Sequence, residues 1–135
     1  MKVHIYAMAA VLMLAAVTSA LAQSQALRAT IPFDFYVSGK LLPAGTYVIT
    51  PTSHGEAIQV SDRNGNSAIV IATGYTRNHS ASLSRLVFRQ YGSASFLTTI
   101  YWTGFQDGKI VATSKMEKEL AKIEVSPMPI TIAAR

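Results

Sequence analysis

Arg85 and Arg89 stand four residues apart in the run Arg85–Tyr91, whose Leu86, Val87 and Phe88 give it the composition of a β-strand. Side chains alternate across a strand, so residues four apart share a face. Two guanidiniums on one face make a basic stripe for phosphate or carboxylate groups, which the planar fork binds through paired hydrogen bonds. Tyr91 takes the next position on that face, and Tyr101, on the following strand, points the same way. Aromatic rings stack on the apolar C–H side of sugars, so Arg85, Arg89, Tyr91 and Tyr101 are the candidate binding residues, with Arg77 shortly before them. Trp102 and Tyr75 complete the aromatic inventory nearby, but Trp102 alternates in phase with Phe96 and Ile100 and is expected in the core. The plainer account of the stripe is a solvated strand face whose cations discourage edge-to-edge aggregation.

Other constellations fall short of chemistry. His54 and His79 sit in loops without the three or four ligands at tight spacing that zinc requires. Asp62-Arg63-Asn64-Gly65-Asn66 has the composition of a calcium loop, but its glycine is fourth and its twelfth residue is Thr73, where an EF-hand needs a sixth-place glycine and a closing glutamate. Asp34, Glu56 and Asp107 show no pairing of the kind glycoside cleavage uses, and no G-x-S-x-G nucleophile elbow occurs. The chain has no cysteine, which excludes disulfides, thiol catalysis and cysteine-held metals. No catalytic residue, metal site or cofactor is expected.

The elements that must position the candidate face begin after residue 22. Residues 1–22 have the form of a secretory signal peptide: Lys2 at the start, an apolar run from Ile5 to Val17, and Ala20-Leu21-Ala22 as an A-x-A cleavage site. The run is shorter than the roughly 20 residues of a spanning helix, so a retained anchor is the lesser alternative and the mature form is expected to carry no transmembrane segment. Cleavage leaves 113 of the 135 residues as one domain, 23–135, bearing a formal +4 because Lys2 is lost from a +5 chain. That mild excess favours anionic partners by long-range attraction. No basic run is dense enough to suggest nucleic acid.

From Arg28 to Trp102, short β-rich runs alternate with turn residues. Ala29–Val37 reads as a first strand, with Pro32 marking an edge or bend. Asn64-Gly65 predicts a type I′ hairpin that pairs Val60 with Ile69 and Ile58 with Ile71, all on one face. A three-residue loop, Gly92-Ser93-Ala94, joins Arg85–Tyr91 to Ser95–Trp102 and sets Phe88 opposite Thr98 and Leu86 opposite Ile100. Then the period changes. Ser114-Lys115-Met116-Glu117 is a capping box, and Met116, Leu120 and Ile123 follow at helical spacing. One helix, about 115–124, is expected to lay that stripe over the sheet, with residues 125–135 as an edge strand or loose tail. The fold class is all-β: a single antiparallel β-sandwich or small barrel of about seven or eight strands with one short C-terminal helix. Its strands are too short for an outer-membrane barrel.

Ile31-Pro32-Phe33-Asp34-Phe35-Tyr36-Val37 with Gly39-Lys40-Leu41-Leu42-Pro43-Ala44-Gly45-Thr46-Tyr47, the Leu-Val-Phe-x-x-Tyr-Gly run at Leu86–Gly92, the Ile100-Tyr101-Trp102 strand and the charged Ser114–Ala121 helix together resemble a group of small secreted bacterial proteins of unknown function. The resemblance covers most of the mature chain. It implies a shared all-β fold and export, to the periplasm or the medium, and carries no activity or site residues. The expected function is a non-enzymatic binding or envelope-associated module, its partner an anionic envelope or cell-wall component. The alternatives are a carrier of a small hydrophobic ligand in a barrel interior and, well behind, a secreted hydrolase.

Overall fold

The strand expected across Ala29–Val37 is broken at Pro32-Phe33-Asp34, and the break sends its two halves to different parts of the sheet. The computed structural model describes residues 26–52, 57–79, 83–103, 106–123 and 126–135. The signal segment, His54, Glu56, the 53–55 turn and residues 104–105 lie outside them. Ten strands and one helix follow in order: β1 (Leu27–Ile31), β2 (Phe35–Val37), β3 (Lys40–Leu42), β4 (Gly45–Pro51), β5 (Ala57–Ser61), β6 (Ser67–Arg77), β7 (Arg85–Tyr91), β8 (Ala94–Tyr101), β9 (Asp107–Val111), α1 (Lys115–Ile123) and β10 (Met128–Ala133). The protein is all-β with one short C-terminal helix. The count reaches ten because the expected first strand divides and a three-residue strand, β3, pairs back on β2.

The strands run in the order β1-β4-β5-β6-β9-β8-β2-β3, with β7 on the other side of β8 and β10 beyond β7. All pairings are antiparallel except the short parallel contact of β2 with β8 at Tyr36 and Phe96. Long β6 pairs through its first half with β5 and through its second half with β9, so it carries the sheet from one layer into the other. The sheet does not close. Its ends nevertheless meet, because the Arg28 N–H donates to the Arg135 carbonyl (2.8 Å) and the Arg135 N–H to that of Arg28 (3.0 Å). Of the two fates foreseen for the C-terminus, the edge strand is the one adopted: β10 lies along β7 with Ile130 opposite Phe88.

Alternation fills the interior. Leu27, Ala29 and Ile31 of β1, Tyr47 and Ile49 of β4, Ile58 and Val60 of β5 and Ala68 and Val70 of β6 point inward against Phe35, Leu86, Phe88, Leu97, Ile100 and Trp102. Phe35 meets Tyr47 and Phe88 edge-on at 5.1 and 5.5 Å between ring centroids, an arrangement that suits the aromatic quadrupole. Fully buried Tyr47 keeps its hydroxyl satisfied by donating to the Pro43 carbonyl at 2.6 Å. Trp102 is core, as its phase implies, at 6% exposed. Its fluorescence is therefore expected to be blue-shifted and poorly quenched by acrylamide. A red-shifted, freely quenched emission would contradict this packing.

Both hairpin registers depart from the sequence-based expectation. In β5–β6, Val60 pairs with Ala68 and Ile58 with Val70, so Ile69 and Ile71 face solvent instead of the core. The cause is Asp62, whose Oδ1 accepts the N–H groups of Asn64 and Asn66 (2.9 and 2.8 Å) while Oδ2 accepts from the Asn66 side-chain amide (2.8 Å). These bonds close a three-residue loop in which Gly65, not Asn64, takes positive φ, the turn-plus-bulge form of a hairpin. Positive φ at two successive residues, the mark of a type I′ turn, occurs instead at Ser38-Gly39. In β7–β8 the loop is only Gly92-Ser93, and one extra residue, Thr98, bulges out between the Val87–Thr99 and Phe88–Leu97 pairs. Leu86 faces Ile100 as expected, whereas Phe88 faces Leu97 and not Thr98. The bulge is held by the Thr98 hydroxyl donating to the Val87 carbonyl at 3.0 Å. It turns Phe96 to the outer side of the sheet, away from the Phe88 face where its spacing had placed it.

Candidate functional site: the outer face of β7 and β8

Arg85, Arg89 and Tyr91 alternate with the inward Leu86 and Phe88, so β7 presents its three candidate residues outward. Across the hairpin Arg85 pairs with Tyr101 and Arg89 with Phe96. The Arg85 guanidinium lies 3.9 Å from the centre of the Tyr101 ring and donates to Asn78 Oδ1 at 3.1 Å. One face of the cation is thus held by an aromatic surface. Tyr101 lies flat because the residue beneath it is Gly108, where any side chain would overlap the ring.

Tyr91 requires a correction. It points to the outer side, yet it is buried at 4% exposed. Its ring meets Phe96 at 5.8 Å, Phe96 stacks on Tyr36 at 5.0 Å, and its hydroxyl faces Glu117. Tyr91 packs beneath the face and is not exposed on it.

The helix also docks differently from the apolar stripe. Ser114 caps it through its hydroxyl, which accepts the Glu117 N–H at 3.2 Å. Glu117 is the one buried residue of α1, whereas Met116 and Ile123 are 43% and 78% exposed. The Glu117 carboxylate accepts from Arg89 Nη1 and from the Tyr91 hydroxyl, both at 3.5 Å. Arg89 remains half-exposed, so the pair sits at the rim of the covered patch. Sequence reasoning treated Glu117 only as a capping residue. Its position two residues before the midpoint of an otherwise lysine-flanked helix held no sign that an acid, and not the methionine, would face the sheet.

Burial pushes the Glu117 carboxyl above its ordinary value, with Arg89 and Tyr91 pulling the other way. A carboxyl whose folded pKa is raised contributes stability that is complete below the unfolded value of 4.5 and is lost as pH rises through the folded one. The difference in thermal midpoint between Glu117→Gln and the wild type is therefore expected to grow in favour of the variant as pH rises above 4.5. A pH-independent difference would show that the carboxylate is not desolvated. Asp62 behaves in the opposite sense: the Asn66 amide holds it below the usual carboxylate range, and its contribution is lost in acid.

Between Arg89 and Tyr101 a shallow groove of about 210 Å³ opens, lined also by Thr76, Thr98, Thr99 and Thr113. Ile110 and Val111 complete its lining, so Arg89 and Tyr101 share this groove, Arg85 lies beside it on the Tyr101 ring, and Tyr91 does not line it. Arg77 is exposed at the end of β6, opposite Asp107. His79 is exposed, and Asp34 serves a turn by accepting the Ala44 N–H at 2.9 Å. Tyr75 is exposed on β6. Among the described residues no helix is long and apolar enough to cross a membrane. No protein-family model matches the chain, and no curated protein or solved structure matches it either.

Proposed function

We propose that this is an exported β-domain that works by binding and not by catalysis, its partner an anionic component of the cell envelope and its contact surface the outer face of β7–β8. The observation that carries the reading is the stack of Arg85 on Tyr101, with half-exposed Arg89 across a threonine-lined groove. A guanidinium held on a ring has lost much of its side-chain freedom before a ligand arrives, which lowers the ordering cost of binding. The threonine hydroxyls supply neutral donors and acceptors beside the two cations. Export rests on the form of residues 1–22. The alternative of a barrel carrying a hydrophobic ligand fares worse, because Tyr47, Phe35 and Phe88 occupy the interior.

The test is co-sedimentation of the mature protein with phosphatidylglycerol vesicles and with purified cell-wall material. Wild-type protein is expected to pellet with one of them at low salt and to be released as salt screens the contact. Arg85→Ala with Arg89→Ala is expected to pellet markedly less than wild type. Equal pelleting of wild type and double variant would remove this surface from the account.

A further inference from the structure

On the other layer of the fold, a second and larger cleft of about 730 Å³ lies between the Pro43–Thr46 turn and the tip of the β5–β6 hairpin. Its volume is in the range of small-molecule sites, about 300–1,000 Å³. Arg28 and Arg63 both line it. The register explains how: Arg28 pairs with Val48, and Val48 with Ser61, so the three form one row across β1, β4 and β5. With strands about 4.8 Å apart, Arg28 and Ser61 are about 10 Å apart along that row, and Arg63 follows two residues on. The two cations thus come from different elements and border the same cleft.

Both arginines are exposed, and among the described residues neither side chain has a hydrogen bond or an ion pair. That sets them apart from Arg85 and Arg89, each of which has a partner. The cleft holds one carboxylate, Asp62, and its oxygens already accept three hydrogen bonds from Asn64 and Asn66. Those bonds favour its ionised form and hold it in the turn, and one anion against two cations leaves the cleft positive. Ser61, Thr46 and Asn64 add neutral hydrogen-bonding groups, while Val48 and Pro43 add apolar floor. Paired guanidiniums suit oxyanions. Hydroxyls, amides and apolar patches in alternation suit the mixed faces of a sugar.

We propose that this cleft is a binding site for an anionic saccharide, one whose carboxylate or phosphate groups are taken by Arg28 and Arg63 and whose hydroxyls meet Ser61 and Asn64. The site is separate from the β7–β8 face, so either can fail without the other.

Isothermal titration of the mature protein decides it, with tetragalacturonate, a phosphorylated disaccharide, inorganic phosphate and neutral maltotetraose as probes. At least one of the two anionic saccharides binds, and maltotetraose binds far more weakly. Arg28→Ser with Arg63→Ser weakens the anionic saccharide by about tenfold to a hundredfold, the scale of losing charge-assisted hydrogen bonds. Arg85→Ser with Arg89→Ser leaves that affinity in place. Which anionic sugar binds tells carboxylate from phosphate as the recognised group. Circular dichroism checks that the variants, both at exposed positions, keep the fold. The proposal is overturned if neither anionic saccharide binds, if maltotetraose binds as well, if inorganic phosphate alone matches the sugar, or if the loss follows Arg85 and Arg89.

Discussion

Phe88→Ala is expected to cost about 3–5 kcal/mol, the range for emptying a buried phenylalanine site, and to leave the domain barely folded. Domains of this size hold only about 5–15 kcal/mol in total. Phe88 is fully buried at the heart of the core: its ring meets Phe33 and Phe35 edge-on at 5.2 and 5.5 Å, and its backbone lies between β8 and β10. Few alternative positions exist for these rings, so the cavity cannot collapse cheaply. Urea unfolding should show a large drop in midpoint with the slope retained. Phe88→Leu should lose much less. A small loss for the alanine variant would mean that Phe88 is not packed among these rings.

Gly108→Ala is expected to cost about 1–3 kcal/mol, as overpacking does, through a single neighbour. A methyl group there overlaps the ring of Tyr101. Gly108 is buried within β9 opposite Thr76, so the backbone has little room to yield and the ring must move. Moving it also removes the surface on which Arg85 stacks, so the same variant should weaken any ligand held by Arg85. The cost is expected to shrink when Gly108→Ala is made together with Tyr101→Ala, because residues in contact couple. Additive losses in that double-mutant cycle would contradict the packing of Tyr101 on Gly108.

These two sites show what the sequence disclosed and what it did not. Alternation placed Leu86, Phe88, Ile100 and Trp102 inside correctly, because each has a polar or half-exposed neighbour that fixes its phase. Alternation failed at Ser67-Ala68-Ile69-Val70-Ile71, which is apolar on both faces. There the register was chosen by the Asp62 side chain, a local hydrogen-bonding choice that hydrophobic pattern does not encode. It failed again at Phe96-Leu97, where a tight turn and the Leu86–Ile100 pair are compatible only if one residue bulges. For the candidate face, the positions of Arg85, Arg89 and Tyr101 were legible from strand period alone. The burial of Tyr91 was not, because the Glu117 that covers it arrives from a helix 26 residues away. The Arg28–Arg63 cleft was equally hidden: its members come from β1 and the β5–β6 turn, and only the strand order brings them together.

The proposed ligand contact is made by the arginines of the β7–β8 face. The most direct measurement is side-chain NMR of the arginine Nε–H groups during titration of the mature protein with phosphatidylglycerol nanodiscs and, separately, with solubilised cell-wall polymer. Arg85 and Arg89 are expected to shift first, with Tyr101 ring signals moving alongside and Trp102 unchanged. Unmoved Arg85 and Arg89 signals in both titrations would contradict it.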